Sequence, residues 1–389
     1  MKDKLMLMIP GPTPVPESVL SALSRHPIGH RSADFSQILA QVFTDLRWLH
    51  QTSHDLLVLC ASGTGTMEAG IINCLSPGDR VVVCTNGKFG ERWAEMCDAF
   101  GLKAERISAP WGEALNPELL RAHLEADSQT PANQKIKAVI LTHSETSTGV
   151  INDLETLSRH IKAHGALSIV DAVTSLGATQ VPVDAWGLDI VASASQKGYM
   201  MPPGLGFITM SPKAWDAYKT AKLPKFYLDL GKYRADAAQN TTPFTPAINL
   251  IFGLQAALTM MREEGLDQIF ARHARLKAAT RAAMRALDLP LYVEDDAIAS
   301  PAITAVMPQG VGAEQLRAHL KQWFDIALAG GQDDLEGKIF RLGHLGFVSE
   351  RDILTAIAAL EASLSKLGHS VKPGAGITAA AQIFLHSLS

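Results

Sequence analysis

Between residues 55 and 210, short apolar runs suited to strands alternate with stretches of helical spacing, and the runs end in small or polar residues. That alternation predicts an α/β domain with a largely parallel sheet. Sheets of this kind gather their ligands at the carboxyl ends of the strands. Four polar clusters fall at such ends, around Ser62, Thr146, Asp171 and Lys197. Their convergence constrains the chain more than any one motif does.

The run Asp189 to Ser195 climbs as a strand into Gln196-Lys197-Gly198, and Met201-Pro202-Pro203-Gly204 punctuates it at once. Lys197 therefore lies beyond a strand end rather than inside a strand or helix. An amine desolvated there loses basicity and can form a Schiff base with a carbonyl. A solvated loop lysine is the plain alternative, and the surrounding residues argue against it. Leu167 to Asp171 is an apolar strand closed by an acid, a placement that is costly unless a cation pairs with the carboxylate. After the strand Leu56 to Leu59, Ala61-Ser62-Gly63-Thr64-Gly65-Thr66 opens a helix expected to start near Met67 and to end before Ser76-Pro77-Gly78. The free N–H groups and dipole of such a helix start make an anion site. No Lys follows the second Gly, which excludes a nucleoside-triphosphate P-loop. Phe89, in the turn Asn86 to Gly90, is either core or a ring at a strand-to-helix junction.

The ends of the chain add two features. Residues 9–16, Ile-Pro-Gly-Pro-Thr-Pro-Val-Pro, can form only an extended arm. It is either a frayed terminus or a segment crossing a partner or the mouth of the site. Helical patterns from about Ala247 to Leu287 lead into a second, smaller α+β unit, in which Arg341 stands between Phe340 and Leu342. An arginine so placed forms either an internal salt bridge or a fork for a ligand carboxylate. No second cationic site for a dicarboxylate side chain is recognisable.

At 389 residues the chain is long enough for two domains. We divide it into an arm (1–16), a large domain (17–258) and a small C-terminal domain (259–389). A net charge of −4 leaves no basic excess for nucleic acid, and no apolar run is long enough to span a membrane. The short apolar stretch of Met1 to Pro10 does not read as a signal peptide, so a cytoplasmic location is expected. Cys60, Cys74, Cys84 and Cys97 are widely spaced with no Cys-x-x-Cys pair. That pattern offers no zinc ribbon or iron–sulfur cluster, and no metal site is expected.

A Schiff-base lysine, an anion site, a strand-end acid, an aromatic ring and an arginine on the second unit together suit pyridoxal phosphate and an amino-acid substrate. The sequence also resembles the class V aminotransferases, and most closely the alanine-glyoxylate and serine-glyoxylate enzymes. The resemblance rests on Pro10-Gly11-Pro12, Ser62-Gly63-Thr64-Gly65, Thr142 to Gly149, Val170 to Gly177, Ser195-Gln196-Lys197 with Pro202-Pro203-Gly204, and Arg341 to Gly346.

It implies the pyridoxal-phosphate transferase fold of type I. In it Lys197 is the Schiff-base lysine and the base and acid of the 1,3-proton shift, and Asp171 pairs with the ring nitrogen. Ser62, Gly63, Thr64 and Gln196 hold the phosphate, Phe89 stacks on the ring where close relatives often have tryptophan, and Thr146 bonds the phenolic oxygen. Arg341 clamps the substrate carboxylate beside Gly11. The resemblance also implies a homodimer in which Asn240 and Thr242 of a second subunit complete the phosphate site. Gln239 stands where a relative of this type can carry a tyrosine reaching that phosphate. The implied reaction is ping-pong transfer of an amino group from alanine or serine to glyoxylate. A lyase or desulfurase of the same fold is the alternative, but a desulfurase needs a cysteine in the C-terminal part, and all four cysteines precede Lys197. A redox or hydrogenase subunit would need metal-ligating cysteines that the spacing does not offer.

Overall fold

A computed structural model describes residues 5–386. In chain order it runs β1 (Met6–Met8), α1 (Glu17–Leu23), α2 (Ala33–His50), β2 (Asp55–Leu59), α3 (Gly63–Cys74), β3 (Arg80–Thr85), α4 (Lys88–Ala99) and β4 (Lys103–Ser108). Next come α5 (Pro117–Asp127), β5 (Ala138–Thr142), the short hairpin β6 (Ser144–Glu145) and β7 (Val150–Ile151), α6 (Leu154–His164) and β8 (Leu167–Asp171). Then follow α7 (Val183–Trp186), β9 (Ile190–Ala194), β10 (Gly206–Met210), α8 (Pro212–Tyr218), α9 (Leu230–Ala237), α10 (Ile248–Glu264) and α11 (Leu266–Ala286). The chain closes with β11 (Ile303–Val306), α12 (Ala313–Phe324), β12 (Ile326–Gly330), β13 (Phe340–Gly343), α13 (Glu350–Lys366) and α14 (Ala375–His386).

Seven strands form the large sheet in the order β2-β10-β9-β8-β5-β3-β4, and only β10 runs antiparallel to its neighbours. Its strands are apolar on both faces, as a sheet covered by helices on each side requires. Along β3, Val82 joins the core beneath α2 and α10, whereas Val81 and Val83 join the core beneath α3 and α4. The same alternation sets Val139 against Ala138 and Ile140 on β5.

The small sheet has the order β1-β12-β13-β11 and packs on α11, α12, α13 and α14. Residues 6–8 of the arm are thus an edge strand of this sheet, parallel to β12. Residues 1–4 and 387–389 lie outside the described residues. The boundary expected after 258 falls inside α10, which packs along its length on α1 and α2. The change of partner comes at Gly265, where φ of +81° ends one helix before α11 turns toward the small sheet. Gly is the residue that tolerates this backbone region.

Candidate active site

Parallel strands put the ends of β2, β3, β5, β8 and β9 along one edge of the large sheet, and a cavity of about 130 Å³ opens there. Ser62, Gly63, Thr64, Phe89, Asp171, Gln196 and Lys197 line it, all of them expected from the sequence. Helix α3 begins at Gly63, four residues before the expected start. Ser62 is its N-cap, with Oγ accepting the Gly65 N–H at 3.3 Å, so Gly63 and Thr64 present first-turn N–H groups to the cavity. A Cβ on Gly63 would stand 2.8 Å from Val173 Cγ2, so the close approach of the helix start to the β8 loop needs glycine.

The arm crosses the mouth of this site in its own chain. From β1 it passes over Gly343, where a Cβ would collide with the Ile9 carbonyl. The Pro10 carbonyl accepts from Lys197 Nζ at 2.9 Å, and Thr13 bonds the main chain of Gln196 and the carbonyl of Lys197. At Gly11 a Cβ would lie 2.7 Å from Lys197 Cδ, and φ of +144° disfavours any side chain.

Two charged groups meet inside. Burial pushes the Asp171 carboxyl up to about 7, opposed mainly by the Val173 N–H at 2.9 Å. Burial pulls the Lys197 amine down to about 8, against the attraction of Asp171 and with help from the cations Arg341 and Arg92. One further residue, Glu145, acts behind this pair. Glu145 is fully buried, and burial raises its carboxyl. Its Oε2 accepts the N–H groups of Phe89 and Gly90, and its Oε1 accepts from the Ser147 N–H and hydroxyl. It caps the start of α4 and thereby fixes Phe89.

The other expected residues lie elsewhere. Arg341, on β13, does not line the cavity but a separate cleft with Glu314, Arg317, Gly330, Gly331 and Glu336. Its guanidinium donates to the carbonyls of Thr146 (2.7 Å) and Gly330 (2.8 Å), and burial lowers it to about 10, still cationic at neutral pH. Among the described residues no carboxylate lies within ion-pair distance of it. Thr146 is buried and serves Arg341 through its carbonyl, while Ser144 lines the cavity. Asn240 and Thr242 do not line the cavity of their own chain; Thr242 bonds the Phe244 carbonyl. Besides Ser144, sequence reasoning missed Arg92, Trp93, Val173 and Thr174 in the lining. For Arg92 a signal existed, since it follows Phe89 at i+3 on one helix face.

These residues fit pyridoxal phosphate on three observations. Gln196 Oε1 is buried without a partner, the raised Asp171 lacks a cation at bonding distance, and the α3 start offers free N–H donors. A buried lysine and a buried carboxyl at the strand ends of a seven-stranded sheet, beside a second, smaller sheet, suit a pyridoxal-phosphate-dependent transferase of fold type I.

The chain belongs to the class V aminotransferases. The family model described as "Aminotransferase class-V" matches residues 6–340. A crystal structure of ureidoglycine-glyoxylate aminotransferase from Bacillus subtilis superposes with a TM-score of 0.91 at 28% identity, covering 99% of both chains. Among curated relatives, the chain is 67% identical to a "Soluble hydrogenase, small subunit" of Synechococcus sp. (strain PCC 6716), over 98% of this chain and 99% of that one. It is 37% identical to an L-aspartate–glyoxylate aminotransferase of Paracoccus denitrificans, over 96% and 94%. It is 36% identical to a serine–glyoxylate aminotransferase of Arabidopsis thaliana, over 98% and 96%. This protein is accordingly a pyridoxal-phosphate-dependent aminotransferase. Among the described residues no helix is long and apolar enough to cross a membrane, and no cluster of His, Cys, Asp or Glu could hold a metal ion.

Proposed function

We propose that the chain transfers the amino group of a small L-amino acid, alanine or serine, to glyoxylate, yielding a 2-oxo acid and glycine. The carrying observation is Arg341, a buried guanidinium held by main-chain carbonyls, with no carboxylate at ion-pair distance among the described residues, beside a mouth narrowed by the arm. Such a fork is matched by one α-carboxylate, which both substrates carry. The serine–glyoxylate relative supports the same reading.

When bound, the cofactor supplies a carbonyl to take the amine and a ring that draws electrons from the substrate Cα. Asp171 would hold a proton on the ring nitrogen, a pairing that its buried, raised carboxyl suits. Lys197 Nζ, with its basicity lowered toward neutral pH, would take the Cα proton and return it at the 1,3-related position. The Pro10 carbonyl orients that amine. Phe89, fixed through Glu145, supplies the stacking face, and Ser62, Gly63, Thr64 and Gln196 hold the phosphate. The active unit is a homodimer, with Asn240 and Thr242 of each subunit completing the neighbour's phosphate site.

Aspartate as donor is a second reading, favoured by Arg92 in the cavity and by the name of the Paracoccus relative. The hydrogenase name of the Synechococcus relative finds little chemistry here. Cys74, Cys84 and Cys97 are buried thiols, pushed up to about 12 by burial and so protonated at neutral pH. The test is the visible absorption of the purified protein with L-alanine, L-serine or L-aspartate, followed by glyoxylate. A band near that of bound cofactor should vanish with alanine or serine and return with glyoxylate. Turnover of aspartate with none of alanine or serine would sink the proposal. Iron analysis of the same sample tests the redox reading.

A further inference from the structure

The neutral donors assigned to the phosphate leave one cation of the cavity without a task. Arg92 sits on α4 one turn after Phe89, with its guanidinium 4.7 Å from the centre of that ring. Its Nη1 donates to Thr64 Oγ1 at 3.3 Å, which ties it to the first turn of α3. Among the described residues no carboxylate lies within ion-pair distance of it. Arg106 one face over, by contrast, pairs with both Glu91 and Asp98. An arginine that lines a cavity, touches a helix start and lacks a counter-charge is arranged for an anion that arrives with a ligand. Its charge also helps to hold the Lys197 amine low, so an anion beside it would raise that amine.

We propose that Arg92 is a side-chain ligand of the cofactor's phosphate, the charged member of a cup otherwise built from Ser62, Gly63, Thr64 and Gln196. The contact with Thr64 decides between the two anions this cavity can receive. Thr64 belongs to the helix start that faces the phosphate, whereas Arg341, on the small sheet, faces the separate cleft. Arg92 is thereby engaged by the cofactor and is not free for the side-chain carboxylate of a dicarboxylic donor. This inference rests on the cofactor and not on the choice of substrates.

The test compares two ligands on the full-length chain: pyridoxal phosphate, and pyridoxal, which lacks the phosphate. Dissociation constants are read by absorption and calorimetry with no amino donor present. R92Q should weaken pyridoxal phosphate by roughly 10- to 100-fold, the weight of a charge-assisted bond, and leave pyridoxal within about twofold. R92K keeps the charge but loses the planar fork. It should fall between wild type and R92Q, and it carries the test if R92Q does not fold. Equal weakening of both ligands would reduce Arg92 to a support for Phe89 and overturn the inference. So would no weakening of either. An unchanged constant for pyridoxal phosphate with a raised KM for aspartate alone would move Arg92 to the substrate and overturn it too.

Discussion

The two sheets hold their functional side chains by different means. The large sheet delivers Asp171 and Lys197 from adjacent parallel strands, so their spacing is set by hydrogen-bond register: Asp171 stands beside Ala192, and Lys197 follows three residues beyond the end of β9. The small sheet delivers Arg341 from the middle of a strand, and it delivers Pro10 and Gly11 through an arm anchored at β1. The first arrangement is rigid and local to one core. The second depends on how one domain seats against the other, through single bonds such as Arg341 to the Thr146 carbonyl and Thr13 to the Lys197 carbonyl. On the proposed function, chemistry would reside on the large sheet and substrate positioning on the join.

If that division holds, changes on the large sheet should strike kcat and changes on the join should strike KM. K197A should have the largest effect, lowering kcat by at least roughly 10²- to 10⁴-fold, the range of a lost general base, while the fold persists in circular dichroism. R341K should raise KM for the amino donor by roughly 10- to 100-fold and change kcat far less, since a lysine cannot reproduce the two-point fork. A kcat loss as large as that of K197A would break the comparison.

The pH dependence of cofactor-free stability sharpens it further. Asp171 rises from its ordinary 3.8 to about 7 on folding, so the folded chain binds the extra proton and stability falls as pH rises from about 4 to 7. Lys197 drops from 10.5 to about 8, so the unfolded chain binds the extra proton and stability rises from about 8 to 10.5. Thermal melts should show that D171N flattens the first limb and K197M the second, whereas R341K leaves both limbs in place. The smallest effect belongs to T13V, which removes one bond from the arm to the Lys197 carbonyl. It should lower stability by about 0.5–1.5 kcal/mol in denaturant melts and raise KM more than it lowers kcat.

Much of this site was legible in the sequence, for a physical reason. A strand that ends in Asp or a Gln-Lys pair states its own chemistry, because an apolar run cannot carry a charge at its end without a partner waiting there. The large-sheet strands, Lys197, Asp171 and the helix start after Ser62 are local patterns of this sort. The start of α3 was misplaced by four residues because Gly63 and Gly65 are poor helix formers, and the Ser62 cap with the packing on Val173 overrides their propensity. Asymmetry between the sheets appears here too. The boundary expected after 258 cut helix α10, whereas its packing on α1 and α2 keeps it with the large sheet.

What the sequence determined by itself was the class of fold, the cofactor and the strand-end residues of the cavity, Asp171 and Lys197, since each is encoded within a few neighbouring positions. Only the tertiary structure decided the path of the arm over Lys197, the role of Glu145 behind Phe89, the seat of Arg341 outside the cavity and the presence of Arg92 within it. Those depend on contacts between segments up to nearly two hundred residues apart, such as Lys197 with Pro10 and Arg341 with Thr146. Periodicity and spacing carry no information on such pairs, because the close packing that selects them exists only once both cores have formed.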